Sequence, residues 1–82
     1  NEPQALLPAL DATTCAAYAM GIVDEARALC QEYIAAARTV DNIIFLTASL
    51  TYMGEILRTE GDLRGALDIY AELIPLAHQR GN

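Results

Sequence analysis

Cys15, Cys30, His78 and two groups of neighbouring carboxylates, Asp24-Glu25 and Glu60 with Asp62, are the residues whose types could do chemistry in this chain. Two cysteines do not make a disulfide framework. Cys15 falls on the first predicted helix and Cys30 on the second, so they can approach each other, but spacing alone does not pair them. As free thiols both read as small packing residues, Cys30 the more so because it sits on an apolar stripe. His78 is the only histidine, has no Cys or His neighbour at metal-ligand spacing, and lies where a helix C-terminus favours positive charge. The carboxylates sit at turns, where capping and solvation account for them without acid–base work. Gly54, Gly61 and Gly65 follow no predicted strand, so the sequence offers no phosphate loop, dinucleotide turn or nucleophile elbow. The expectation is a protein without catalysis, cofactor or metal.

Eleven acidic residues stand against five basic ones, all arginine, for a formal charge of −6. That balance opposes a phosphate backbone and argues against direct nucleic-acid binding. It suits either a solvated acidic surface or attraction to a basic partner. No apolar run approaches the roughly 18 to 20 residues of a membrane span, and the N-terminus lacks the basic-then-apolar pattern of a signal peptide. A cytoplasmic protein is expected. Arginine without lysine, together with abundant alanine, fits a GC-rich bacterial genome.

The elements that must position these residues are helices. At 54% hydrophobic, with no Trp and only three Pro in 82 residues, the composition is that of one small helix-rich domain. Sliding the chain against itself by forty positions pairs Leu6 with Leu46, Leu10 with Leu50, Gly21 with Gly61, and Ala26 with Ala66. The same offset pairs Glu32 with Glu72, Ile34 with Ile74 and Ala37 with Ala77, and it sets Gly81-Asn82 opposite Asp41-Asn42, where a third unit would open. The chain therefore reads as one helical hairpin written twice, in units 1–40 and 41–82, the first degenerate.

Helix one is predicted from about Pro3 to Met20, with Pro3 in its first turn and Leu6, Leu10, Thr13 and Ala17 on its apolar face. Helix two, about Val23 to Val40, carries Val23, Ala26, Cys30, Tyr33, Ile34 and Ala37 at spacings of three and four, with Asp24 and Glu25 in its first turn. Helix three begins near Asn42 with Asp41 as N-cap and aligns Leu46, Leu50, Met53 and Leu57. Helix four follows Asp62, a second N-cap, and stacks Leu63, Ala66, Leu67, Tyr70, Leu73, Ile74 and Ala77 up to an end near Arg80. Pro75 predicts a kink within it. Ile43, Ile44, Phe45, Tyr52 and Ile56 exceed what a two-hairpin core obviously needs. Either helix three is buried between helices two and four, or apolar patches face neighbouring repeats or a second copy.

The second unit resembles a tetratricopeptide repeat: Leu50, Met53, Gly54 and Leu57 on its first helix, Gly61-Asp62-Leu63 at the turn, then Ala66, Leu67 and Tyr70. The first unit keeps Leu10, Gly21, Val23 and Ala26 but has Thr14 opposite Gly54 and Cys30 opposite Tyr70. The usual repeat has about 34 residues. The longer period here, with the closing phrase Ile74 to Asn82, resembles repeats of MalT-like and LuxR-type bacterial transcription regulators. The resemblance implies an all-α, right-handed superhelix of two helical hairpins, four antiparallel helices in one domain over residues 1–82. In it Gly54 lets the paired helices approach, Ala66 packs into that contact, Gly61 makes the turn, and Tyr70 fills the gap toward the next hairpin.

The resemblance further implies a concave binding face built from each hairpin's first helix. Its positions here are Asp11, Cys15, Tyr18 and Ala19 in the first unit, and Ala48, Thr51, Glu55, Arg58 and Thr59 in the second. With Arg58 alone among Asp11 and Glu55, a groove that grips a peptide's terminal carboxylate is disfavoured. The function expected is a protein- or peptide-interaction module, part of a larger bacterial signalling or transcription-regulatory protein. A small-ligand sensor segment and a structural or dimerisation spacer, with self-association, remain open beside it.

Overall fold

The computed structural model describes residues 2–81 and the side chains of residues 4–80; Asn1 and Asn82, and with Asn82 part of the proposed third-unit start, lie outside them. Four helices follow in order: α1 (Glu2–Ala19), α2 (Val23–Thr39), α3 (Ile43–Glu60) and α4 (Leu63–Gly81), with no strand among the described residues. The fold is all-α and consists of two antiparallel hairpins, α1/α2 and α3/α4. The second stacks on the first through α2 and α3, while α1 touches α3 over a smaller area. α1 and α3 thus share one layer and α2 and α4 the other, in a body 17 Å across its thinnest axis.

The turns explain why the hairpins are so alike. After α1, Gly21 adopts φ +77°. The amide of Gly21 then donates to Tyr18 O and that of Ile22 to Ala17 O, both at 3.0 Å. After α3, Gly61 adopts φ +88°, with Gly61 N–H on Arg58 O and Asp62 N–H on Leu57 O at 3.0 and 2.9 Å. Both are Schellman closures, which satisfy the last helical carbonyls and need a left-handed residue that glycine adopts without a Cβ penalty. The turn between hairpins repeats the pattern on Arg38 and Ala37, but its left-handed residue is Asp41 at φ +53°. Asp41 is therefore not the N-cap of α3. That role falls to Asn42, whose side chain accepts the Phe45 N–H at 3.1 Å. Asp62 caps α4 as expected, accepting the Gly65 N–H at 2.9 Å.

Helix α4 runs through Pro75, and α1 likewise runs through Pro8. Each proline lies on the exposed side and withholds the N–H that would reach Gln4 O or Ala71 O.

The core has two centres. Ala17, Ala26, Cys30, Met53 and Ile56 gather where α1, α2 and α3 meet, and Leu7, Tyr33 and Ala37 pack with Phe45 and Leu46 nearby. The stripe expected for α2 is buried or half-buried throughout. For α1 the expected face is corrected: Leu7, Thr14 and Ala17 are buried, whereas Leu6 is 54% exposed and Thr13 lies open. The counterparts of Leu6 and Thr13, Leu46 and Met53, are covered because α2 lies against α3; no described element covers that side of α1. The outer side of α4 is open in the same way, leaving Leu63, Leu67 and Ile74 exposed. Among the surplus apolar residues, Ile56 is buried, Phe45 and Tyr52 are half-buried, and Ile44 is exposed. Placement of α3 among the other three helices therefore accounts for most of them.

Candidate concave face

Helices α1 and α3 lie side by side because both pack on α2, and this brings the expected face residues of the two hairpins together at one end. Tyr18 Oη and Thr59 Oγ1 approach to 3.5 Å across the layer. Elsewhere Asp11 and Glu55 each accept from a tyrosine at another position, and Glu55 also from Arg58 on the face itself.

Tyr33, fully buried on α2, passes under α1 and donates its hydroxyl to Asp11 Oδ2 at 2.5 Å. Burial, then the hydrogen bond to Asp11, pushes the Tyr33 hydroxyl far above its ordinary pKa, so it remains a donor. Tyr52 on α3 meets Cys15. The neighbouring Cys15 thiol first, and burial second, raise the Tyr52 hydroxyl to about 12. Tyr70 on α4 donates to Glu55 Oε2 at 2.8 Å, while Arg58 holds Glu55 Oε1 at 2.6 Å. The Arg58 guanidinium, with the Tyr70 hydroxyl behind it, holds Glu55 below the usual carboxylate range. With Tyr18 on the face itself, all four tyrosines of the chain lie on it or against it.

Thr51 is exposed, and its hydroxyl donates back to Thr47 O at 2.8 Å, leaving only its acceptor capacity outward. Tyr70 is half-buried within its own hairpin. Its ring lies on Gly54, where an added Cβ would sit 2.6 Å from Tyr70 Cε1. Gly54 is thus the seat of the tyrosine that orients Glu55.

Tyr33 and Tyr52 lie behind the expected face, Tyr33 from the apolar stripe of α2 and Tyr52 from the surplus apolar residues of α3. A buried tyrosine hydroxyl requires a partner, and Asp11 on the adjacent helix was available; that chemical requirement was the signal.

The face is acidic, and few cations offset it. Arg27 is engaged by Glu60 and Asp24, and Arg38 forms a two-pronged pair with Glu72 at 2.5 and 2.9 Å. Both link the first hairpin to the second, Arg27 near the α3 end and Arg38 from α2 to α4. Arg80 donates to Thr47 Oγ1 at 3.0 Å.

The cysteines remain unpaired. Cys30 is fully buried, donates to Ser49 O at 3.2 Å, and burial pushes its thiol up to about 12, which keeps it protonated and unreactive. His78 is exposed on the last turn of α4. Among the described residues no group of three or more His, Cys, Asp or Glu is placed to hold a metal ion, and no helix is long and apolar enough to cross a membrane. Comparison with models of known protein families, with curated proteins and with solved structures finds no match for this chain.

Proposed function

We propose that the chain is a protein-interaction module whose α1/α3 face holds a basic peptide segment. The observation that carries this reading is the pair of carboxylates, Asp11 and Glu55, each fixed by a tyrosine hydroxyl from a neighbouring helix. A carboxylate already held in place loses little side-chain freedom when it accepts a cationic donor, so it serves recognition better than a free surface acid. The net charge of −6 adds long-range attraction for such a partner. The resemblance of the second unit to tetratricopeptide repeats supports the same reading, since that family binds peptides on this face. Placement of such a module within a larger bacterial signalling or regulatory protein belongs to the proposal as well.

The test is selection of peptides from a random displayed library against the whole chain. Lys- and Arg-rich sequences should be enriched. Asp11→Asn with Glu55→Gln should weaken the best of them at least tenfold while the thermal midpoint shifts little. Enrichment of apolar or acidic sequences, or binding indifferent to both substitutions, overturns the reading.

A further inference from the structure

The chain contains one hairpin-on-hairpin interface, and its two halves recur, uncovered, at the ends of the stack. In that interface α3 presents Leu46, Ser49, Met53, Ile56 and Glu60 to α2. Met53 and Ile56 join Ala26 and Cys30 in the core, the Cys30 thiol bonds Ser49 O, and Glu60 takes Arg27. Forty positions earlier, α1 carries Leu6, Ala9, Thr13, Ala16 and Met20, and every one of them is exposed. The α2 side of the interface uses Val23, Arg27, Cys30 and Ile34. Forty positions later, α4 carries Leu63, Leu67, Tyr70 and Ile74, of which Leu63, Leu67 and Ile74 are 62, 67 and 57% exposed.

The two open faces also match each other chemically. The position of the Arg27–Glu60 ion pair maps to Leu67 on α4 and Met20 on α1, so a charged contact is replaced on both sides at once by an apolar one. The Arg38–Glu72 pair maps to His78 and Glu32, which keeps a nitrogen donor opposite a carboxylate, and both side chains are exposed. A pocket of about 210 Å³ beside α1 is lined by Thr13, Ala16, Ala17, Met20 and Leu29 among others. Its counterparts Met53, Ile56, Leu57 and Ile69 belong to the same core cluster as Val23 within the molecule. The α4 counterpart of Val23 is Leu63.

We infer that a second copy of this chain docks head to tail, with the α4 face of one molecule on the α1 face of the next. Leu63 fills the pocket beside α1, Leu67 meets Met20, and His78 faces Glu32. The contact joins two different surfaces, so each copy keeps one face free and association continues beyond a pair. The surface involved is distinct from the acidic α1/α3 face and does not depend on the reading given to it.

Sedimentation velocity of the whole chain, from micromolar to millimolar, tests this. The average mass should rise with concentration past that of a dimer. A mass that stays monomeric assigns the two faces to another occupant and overturns the inference, and a mass that saturates at a dimer overturns it too, because that indicates a self-complementary interface. Leu67→Asp and Met20→Asp alter exposed positions on opposite ends; each alone should sediment as a monomer with unchanged helical circular dichroism. Mixed in equal amounts they should form a dimer and stop there, since one intact α4 face remains to meet one intact α1 face. Failure of the mixture to pair overturns the head-to-tail geometry. Leu67→Arg with Met20→Glu in one chain recreates the internal ion pair at the joint and should restore growth that weakens with salt. Absence of that growth counts against the equivalence on which the inference stands.

Discussion

The two hairpins share a backbone and differ in what holds them. In the second, Gly54 seats the Tyr70 ring, Tyr70 orients Glu55, and Asp62 caps α4. At the same positions forty residues earlier, the first has Thr14, Cys30, Cys15 and Ile22. Thr14 is fully buried with its hydroxyl unpartnered, and Ile22 provides no side-chain cap. The first hairpin compensates through burial, because α2 lies between α1 and α3 and places Tyr33 out of solvent, whereas Leu73 at the matching position on α4 is half-buried. Side-chain hydrogen bonds hold the outer helix of one hairpin, and packing on two sides holds the inner helix of the other.

The widest separation between the hairpins should come from truncating these matched positions. Tyr33→Ala removes a fully buried ring and its bond to Asp11, with an expected loss of about 3–5 kcal/mol. Leu73→Ala should cost about 1–2 kcal/mol, since α4 is covered on one side only. Urea unfolding of both variants measures the difference, and equal losses would contradict the contrast between an inner and an outer helix.

Gly54→Ala comes next. The new Cβ meets Tyr70 Cε1 at 2.6 Å, so the ring must leave its seat and Glu55 keeps only its Arg58 donor. A loss of about 1–3 kcal/mol is expected despite the better helix propensity of alanine. In a Tyr70→Ala background the same change should become neutral or stabilising, because nothing remains to displace. A double-mutant cycle that finds the two effects additive would show that Gly54 is not the seat of Tyr70.

The hairpin pattern was legible because turns and periodicity are local. Gly21, Gly61 and Asp62 sit at chain positions where a Schellman closure or a cap requires those types, and the α2 stripe follows from spacing alone. The α1 face was misplaced because periodicity alone put Leu6 and Thr13 on it, positions whose counterparts on α3 are covered by α2. Repeat alignment carries over which residues face a neighbour, but whether a neighbour is there is not written in the repeat. The Asp41 cap failed for a related reason: Asp and Asn both suit a cap, and only the backbone conformation tells which of two adjacent residues has turned left-handed. The expected face was placed from the family pattern, yet the tyrosines behind it, Tyr33 and Tyr52, come from the apolar stripe of α2 and from the surplus apolar residues of α3. Their rings are packed as expected; their hydroxyls answer to residues distant in sequence, which periodicity does not register.

Two substitutions should make the first hairpin more like the second. Thr14→Val exchanges an unpartnered buried hydroxyl for a methyl of the same shape and should stabilise by about 1 kcal/mol. Ile22→Asp installs the cap that α2 lacks, at an exposed position, and should add about 0.5–1 kcal/mol. Thermal unfolding reads both, and a Thr14→Val variant less stable than the parent would mean that the hydroxyl is satisfied after all.

The smallest expected effect concerns the clamp between the hairpins. The Arg38 guanidinium holds Glu72 below its ordinary value of 4.5, despite partial burial that opposes this. A carboxyl whose folded pKa is depressed contributes stability above its unfolded pKa, and that contribution disappears as pH falls through the folded value. Glu72→Gln should therefore leave stability near pH 2 almost unchanged and lower it above about pH 5. Both partners are substantially solvated, so the loss at neutral pH should stay below about 1 kcal/mol and shrink with added salt. Urea midpoints across that pH range, at low and high salt, measure it. A loss that persists at pH 2 would assign Glu72 a packing role in place of the electrostatic one that joins α4 to α2.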